Sequence, residues 1–208
     1  MDFLTLVSFL SAAILLTLAP GPDNMFVLAQ SISKGKRAGI LTSAGLCTGL
    51  IVHILAATFG ISAIIYQSSV AFAIVKYAGA AYLLYLAYKA FREKDSSFAQ
   101  TNLNTSKHES LYKKGIIMNI LNPKVSLFFL AFLPQFVNYQ AGNVSLQMLL
   151  YGMIFLVQTI IIFTFVSIFA GKLGHFLHKS PTISKKINIL QGSIFALIGL
   201  KIAFAQKN

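Results

Sequence analysis

Charge is what this chain has least of. Charged residues make up 11% of its 208 positions, and only five are acidic. A soluble domain usually carries about 25% charged residues. Mean hydropathy is +0.74 and hydrophobic residues make up 56%, so a sizeable soluble domain is excluded. Cysteine is nearly absent as well. Cys47 stands alone within an apolar run, which rules out an intrachain disulfide and leaves it to pack as a small hydrophobe. No HExxH or GxSxG occurs, and the four histidines and one cysteine lack zinc-ligand spacing. No metal, cofactor or enzymatic activity is therefore expected. Gly35-Lys36-Arg37 lacks the glycine-rich lead and buried strand of a phosphate loop, so an ATP-driven machine is not expected either.

What remains is an all-α membrane protein. There is room for about six spans of roughly 20 residues with short loops. The expected spans run over about 4–31, 38–65, 70–91, 115–137, 144–170 and 187–205. The N-terminus begins Met1-Asp2-Phe3 without a basic lead, so the first apolar run reads as an uncleaved span rather than a signal peptide.

The net charge of +12 would suggest nucleic acid in a soluble protein, but its placement decides otherwise. Thirteen of the 17 Lys and Arg residues fall in the first, third and fifth connections, and none in the second (about 66–69) or fourth (about 138–143). That alternation is the positive-inside pattern. It predicts both termini outside and the Lys89–Lys114 connection in the cytoplasm, with contact to anionic lipid headgroups and no nucleic acid.

The whole chain reads as one membrane domain: a repeat over about 1–91, a linker over about 92–112 and a second repeat over about 113–208. Halves of three spans each have opposite orientation, so an inverted repeat is natural. Residue counting, however, puts both proline breaks in the cytoplasmic half, whereas strict inversion would exchange their depths. Small residues occur where helices can approach: Gly45 and Gly49, Gly79-Ala80-Ala81, and Gly192 with Ala196. They suit static packing, a sliding surface or a homo-oligomer. Tyr66, Tyr112 and Tyr139 near span ends fit an interfacial belt.

Two spans are interrupted. The first contains Ala19-Pro20-Gly21-Pro22-Asp23-Asn24 and the fourth Asn122-Pro123-Lys124, with Pro22 and Pro123 101 positions apart. Proline removes a backbone donor and clashes with the preceding turn, so each helix should open. Freed backbone groups survive in a bilayer only where protein or a water-filled cavity satisfies them. Paired interruptions in the two halves point to a transporter's binding site.

Four ionisable residues fall inside the spans: Asp23, His53, Lys76 and Lys124. A charge at the bilayer centre costs about 2.5–3.5 kcal/mol on insertion scales. Asp23 can cap the reopened helix near Asn24, bind substrate or a proton, or do both. Asn122 can cap the second half-helix. Lys124 and Lys76 either snorkel to the headgroups or serve the site, and His53 is either hydrogen-bonded structure or a proton carrier. The charges suit a zwitterion: Lys124, with Lys76 or half-helix N–H groups, for a carboxylate, and Asp23 for an ammonium or a proton. The rival reading is a non-transporting membrane subunit or scaffold whose breaks are mere kinks.

Pro20-Gly21-Pro22-Asp23-Asn24, Gly35-Lys36-Arg37-Ala38-Gly39-Ile40, Lys76-Tyr77-Ala78-Gly79-Ala80-Ala81-Tyr82-Leu83 and Asn122-Pro123-Lys124 followed by Phe128 to Phe136 occur in this order. In that combination the chain resembles the LysE/RhtB family of amino-acid exporters, and within it the homoserine/threonine/homoserine-lactone branch. The resemblance implies six transmembrane helices in a bacterial cytoplasmic (inner) membrane, exporting amino acids or close derivatives by exchange with protons. It places the family's characteristic acid on Asp23 and its lysines on Lys76 and Lys124. Ala87 departs from it, where relatives often have glycine.

Overall fold

A computed structural model of the chain describes residues 2–19, 21–59, 69–92, 108–179 and 181–204. Pro20, Tyr66 and most of the second and third connections (60–68 and 93–107) lie outside the described residues. Among those described, all regular structure is helical. The order is α1 (Phe3–Leu18), α2 (Pro22–Lys34), α3 (Lys36–Thr58), α4 (Ser69–Arg92), α5 (His108–Ile120) and α6 (Pro123–Leu127). A π-helical turn (Phe128–Phe132) and a 3-10 turn (Leu133–Phe136) follow, then α7 (Val144–Lys179) and α8 (Pro181–Phe204).

The prolines set the breaks. A residue before proline is pushed out of the helical region. Ala19, Gly21 and Asn122 each precede a proline, and their ψ angles are 122°, 175° and 107°. Pro22 and Pro123 then take the first position of a new helix, where a missing N–H costs nothing. α1 and α2 meet at 55°, and the helix before Pro123 meets the one after it at 44°. Each bent pair, taken together, is long and apolar enough for one crossing, as are Lys36–Thr58 and Val144–Ala170 alone. Pro134 interrupts the fourth segment again, and the chain passes through π and 3-10 geometry around it.

Two boundaries differ from expectation. α5 starts at His108, inside the stretch read as linker, because an apolar window does not register a helix's polar first turns. The second break therefore has 13 residues of helix before it and the first has 16. Both breaks sit near the middle of their helix pairs. The first connection is a single residue: Gly35 joins α2 to α3 at φ 85°, a left-handed conformation that favours glycine.

Small residues lock the bundle. A Cβ on Gly45 would strike the Tyr112 carbonyl, and one on Gly115 would lie 2.6 Å from the Thr42 carbonyl. α3 and α5 thus approach backbone to backbone, and a Cβ on Gly49 would lie 2.7 Å from the Ile116 carbonyl. α4 packs along α8, where Gly199 faces Ala80 and Gly192 faces Phe91. The core is aromatic: Phe9, Phe128, Phe129, Phe136, Tyr151 and Phe155 are buried against one another. Large apolar side chains such as Ile161, Phe165 and Leu197 point outward, as lipid contact requires. Ala38 packs with Leu111, so Lys36 and Arg37 lie at the same end of the bundle as Lys113 and Lys114. Phe9 meets Phe136 and Tyr151, which brings the start of α1 towards the connection at 138–143, where no Lys or Arg occurs.

Candidate functional site

Each proline leaves one carbonyl without its helical donor, the carbonyl four residues earlier. Pro20 does this to Leu16, and Pro123 does it to Asn119. Both carbonyls are met by side chains from elsewhere in the chain. Lys124 Nζ donates to Leu16 O at 3.2 Å and to Ala19 O at 3.3 Å. Asn119 O accepts from Asn122 N at 3.0 Å and from His53 Nε2 at 3.1 Å, so the Nε2 tautomer of His53 carries the proton. The His53 ring also stacks on Phe129 at 6.1 Å.

The helix starts differ. Asn122 Oδ1 accepts from Lys124 N at 3.0 Å and caps α6 as expected. Asp23 does not cap α2: the N-cap position is Gly21, with no side-chain cap. Asp23 sits second in its helix, turns inward and is 3% exposed. Its Oδ2 accepts from Asn119 Nδ2 at 3.2 Å, and its Oδ1 has no partner. Asn24 turns back instead, donating from Nδ2 to Thr17 O at 2.6 Å and Ala19 O at 3.1 Å.

Asp23 and Lys124 hold equivalent positions, each second in its half-helix and directly after the proline that starts it. Negative charge suits a helix N-terminus and positive charge does not. Lys124 is thus at the unfavourable end of its own helix, and its ammonium reaches the favourable end of α1. It is 5% exposed and does not snorkel. Gly21 makes room for it, since a Cβ there would lie 3.1 Å from Lys124 Nζ. Asp23 and Lys124 do not close an ion pair, because the ammonium is held on carbonyls and the carboxylate on Asn119.

Between them lies a cavity of about 20 Å³. Thr17, Asp23, Asn24, Asn119, Lys124 and Thr159 form its polar wall, and Leu50, Phe155 and Phe163 its apolar one. Gln158 Nε2 ties that wall together by donating to the hydroxyls of Thr17 and Thr159, both at 2.8 Å. A volume of this size holds about one water.

The structure therefore brings Asp23, Asn24, Asn122 and Lys124 together, with His53 one contact away through Asn119. Lys76 is not among them. It lies half-buried on α4 with its ammonium 4.5 Å above the Tyr77 ring. Asn119, Thr17, Gln158 and Thr159 went unread in the sequence, although Asn119 and Gln158 are amides within apolar runs. Among the described residues no group of His, Cys, Asp or Glu is placed to hold a metal ion.

A family model for the LysE type translocator matches residues 14–206. The chain belongs to this family. A homoserine/homoserine lactone efflux protein of Salmonella typhimurium is 32% identical over 199 residues, covering 96% of both chains. Its counterpart in Salmonella typhi is 33% identical over the same share. An uncharacterised membrane protein of Vibrio cholerae is 31% identical over 99% of this chain and all of its own. No solved structure matches. The LysE-type chain is thus an integral membrane transporter of a bacterial family, and it moves its solute rather than transforming it.

Proposed function

We propose that this translocator is a secondary exporter of small amino acids or close derivatives of the threonine and homoserine kind, driven by exchange for protons across the bacterial inner membrane. The observation that carries the reading is the convergence of Asp23 and Lys124, both buried and one from each broken helix, on the same cavity. A zwitterion needs one partner of each sign, and half-helix ends supply the remaining donors and acceptors. Asp23, with one free carboxylate oxygen, alternates between the substrate's ammonium and a proton. Substrate leaves outward and the proton enters inward. The names of the Salmonella relatives support the substrate class.

Six spans in two inverted halves, with both termini outside, complete the proposal. The packing supports it: α3 lies against α7 and α4 against α8, so each pairs with its counterpart in the other half, as a two-fold axis in the membrane plane would require. The gathering of Lys36, Arg37, Lys113 and Lys114 at one end supports the orientation.

Counterflow of labelled homoserine and threonine in proteoliposomes containing only this protein tests the reading. Exchange is expected, and an imposed proton gradient should drive net movement. Absence of counterflow for every amino acid offered, from protein shown to be folded, would remove it.

A further inference from the structure

The carbonyl end of α1 is the least expected part of the site. A helix C-terminus carries about half a negative charge, and Pro20 removes the donor that Leu16 O would otherwise have. In this fold the donor is an ammonium brought from the other half of the chain. Beside it lies a second bare acceptor, Asp23 Oδ1, buried and without a partner. Asn24 Oδ1 and Asn119 Oδ1, on the same cavity, are also without donors. The cavity is thus rich in oxygen acceptors, and among the described residues the one cationic group on it is Lys124 Nζ, which donates to two carbonyls beside it.

We infer that the C-terminal end of α1 is an ammonium subsite, filled by Lys124 in this structure and handed to the substrate's primary amino group when the breaks part. The handover rests on the exporter reading, whereas the subsite itself does not. One ammonium replaces another, so the carbonyls of Leu16 and Ala19 never face hydrocarbon bare, and Asp23 keeps a cation nearby throughout. Displaced from the carbonyls, Lys124 Nζ is free to meet a carboxylate. Gly21 keeps that movement open, since a Cβ there would crowd both Nζ, at 3.1 Å, and Cε, at 3.6 Å. The recognised chemistry is a primary ammonium with N–H donors for carbonyl oxygens. A quaternary ammonium has charge but no N–H and does not fit.

The subsite is tested by emptying it. Lys124→Met removes the resident ammonium and keeps most of the stem. In detergent, tens-of-millimolar methylammonium should raise the melting midpoint of Lys124→Met by about 3 °C, the size expected for a ligand several-fold above its dissociation constant. Wild type should move by less than about 1 °C, and tetramethylammonium should do nothing to either. Sodium tests whether charge alone suffices: it should give less than half the methylammonium shift, and stabilisation of Lys124→Met by sodium as large as that by methylammonium overturns an ammonium subsite. No response to either cation, or equal responses in Lys124→Met and wild type, overturns it. Should Lys124→Met fail to fold, Lys124→Leu repeats the measurement with the carbonyls still bare. The handover is read on wild type by counterflow with an exported amino acid and its N-trimethylated form. Exchange of the primary amine alone is expected, and equal exchange of both overturns the handover. Failure of all counterflow would count against the exporter reading, while the melting shifts would still report on the subsite.

Discussion

The two breaks begin from the same chemistry and finish differently. Each has a helix ended by proline, a carbonyl left without a donor, and a new helix started by proline with an ionisable residue second. At the second break the repairs are neutral and mostly local. Asn122 caps the new helix, and its own N–H and the His53 imidazole cover Asn119 O. At the first break the new helix has no side-chain cap, and the open carbonyls are covered by Asn24 and by a full positive charge from the second break. One break is finished as structure. The other is a charged junction held by a side chain from the other half of the chain. Under the proposed handover, the moving part of the translocator is the first break, with the second as the arm that holds it.

The largest test of the contrast is Lys124→Met. It leaves Leu16 O without its donor and a buried carboxylate with no cation on the cavity. Hydrogen bonds to charged groups contribute about 1.5–3 kcal/mol, so a loss of about 2–3 kcal/mol in detergent stability is expected, together with loss of export. An effect under about 1 kcal/mol would mean that the carbonyls find water easily and that the two breaks are not tied.

A smaller pair of changes sharpens it. Asn24→Ala uncovers Thr17 O and weakens the cover on Ala19 O, at about 1–2 kcal/mol for buried acceptors. Asn122→Ala removes a helix cap, at about 1 kcal/mol. Asn122→Asp and Asn122→Ser should restore most of that, because both residues cap well. If the first break moves and the second does not, Asn24→Ala should change the rate of counterflow more than its stability loss alone accounts for, while Asn122→Ala should scale with stability. Counterflow rate against melting midpoint for the two variants is the measurement. Equal scaling would make the breaks alike.

Local rules showed where the chain breaks and which charges lie there, because proline and an intramembrane charge each act within a few residues. Asn122 as a cap was legible for the same reason. The destination of Lys124 was not, since it depends on α1 lying beside the second break, about 105 residues away in sequence. Asp23 could be read as a cap, a binding group or both, because acids favour helix starts. Packing turned it inward onto Asn119, and Asn119 itself gave no more signal than any amide in an apolar run. Lys76 was a weaker candidate than Lys124, and it lies on α4, which packs along α8, and does not line the cavity. The helical start of α5 was hidden because helix onset there is polar and apolar windows do not register it.

The smallest expected change in stability belongs to Asp23→Asn, and it is the most informative for function. Asp23 caps nothing, Asn has the same shape, and an amide can keep the contact with Asn119 by presenting its oxygen to Asn119 Nδ2. The carboxylate is also costly where it lies, buried and with one bare oxygen, so its removal offsets whatever attraction to Lys124 is lost. Stability should therefore move by less than about 0.5 kcal/mol, the range of substitutions that disturb no packing or network. Proton coupling, by contrast, should vanish, because an amide does not titrate. Proteoliposomes should show no proton-driven export with Asp23→Asn, whatever exchange without a gradient survives. Asn119→Leu supplies the control. It removes the donor to Asp23 while leaving the carboxylate, so it should weaken coupling without abolishing it. Combined with Asp23→Asn it should add no further loss of coupling, since the group it acts through is already gone. Additive losses within about 0.5 kcal/mol in a double-mutant cycle on substrate affinity would mean that Asn119 serves the site by another route. An Asp23→Asn protein that still couples to protons would move the titrating group elsewhere, and the first break would then be as structural as the second.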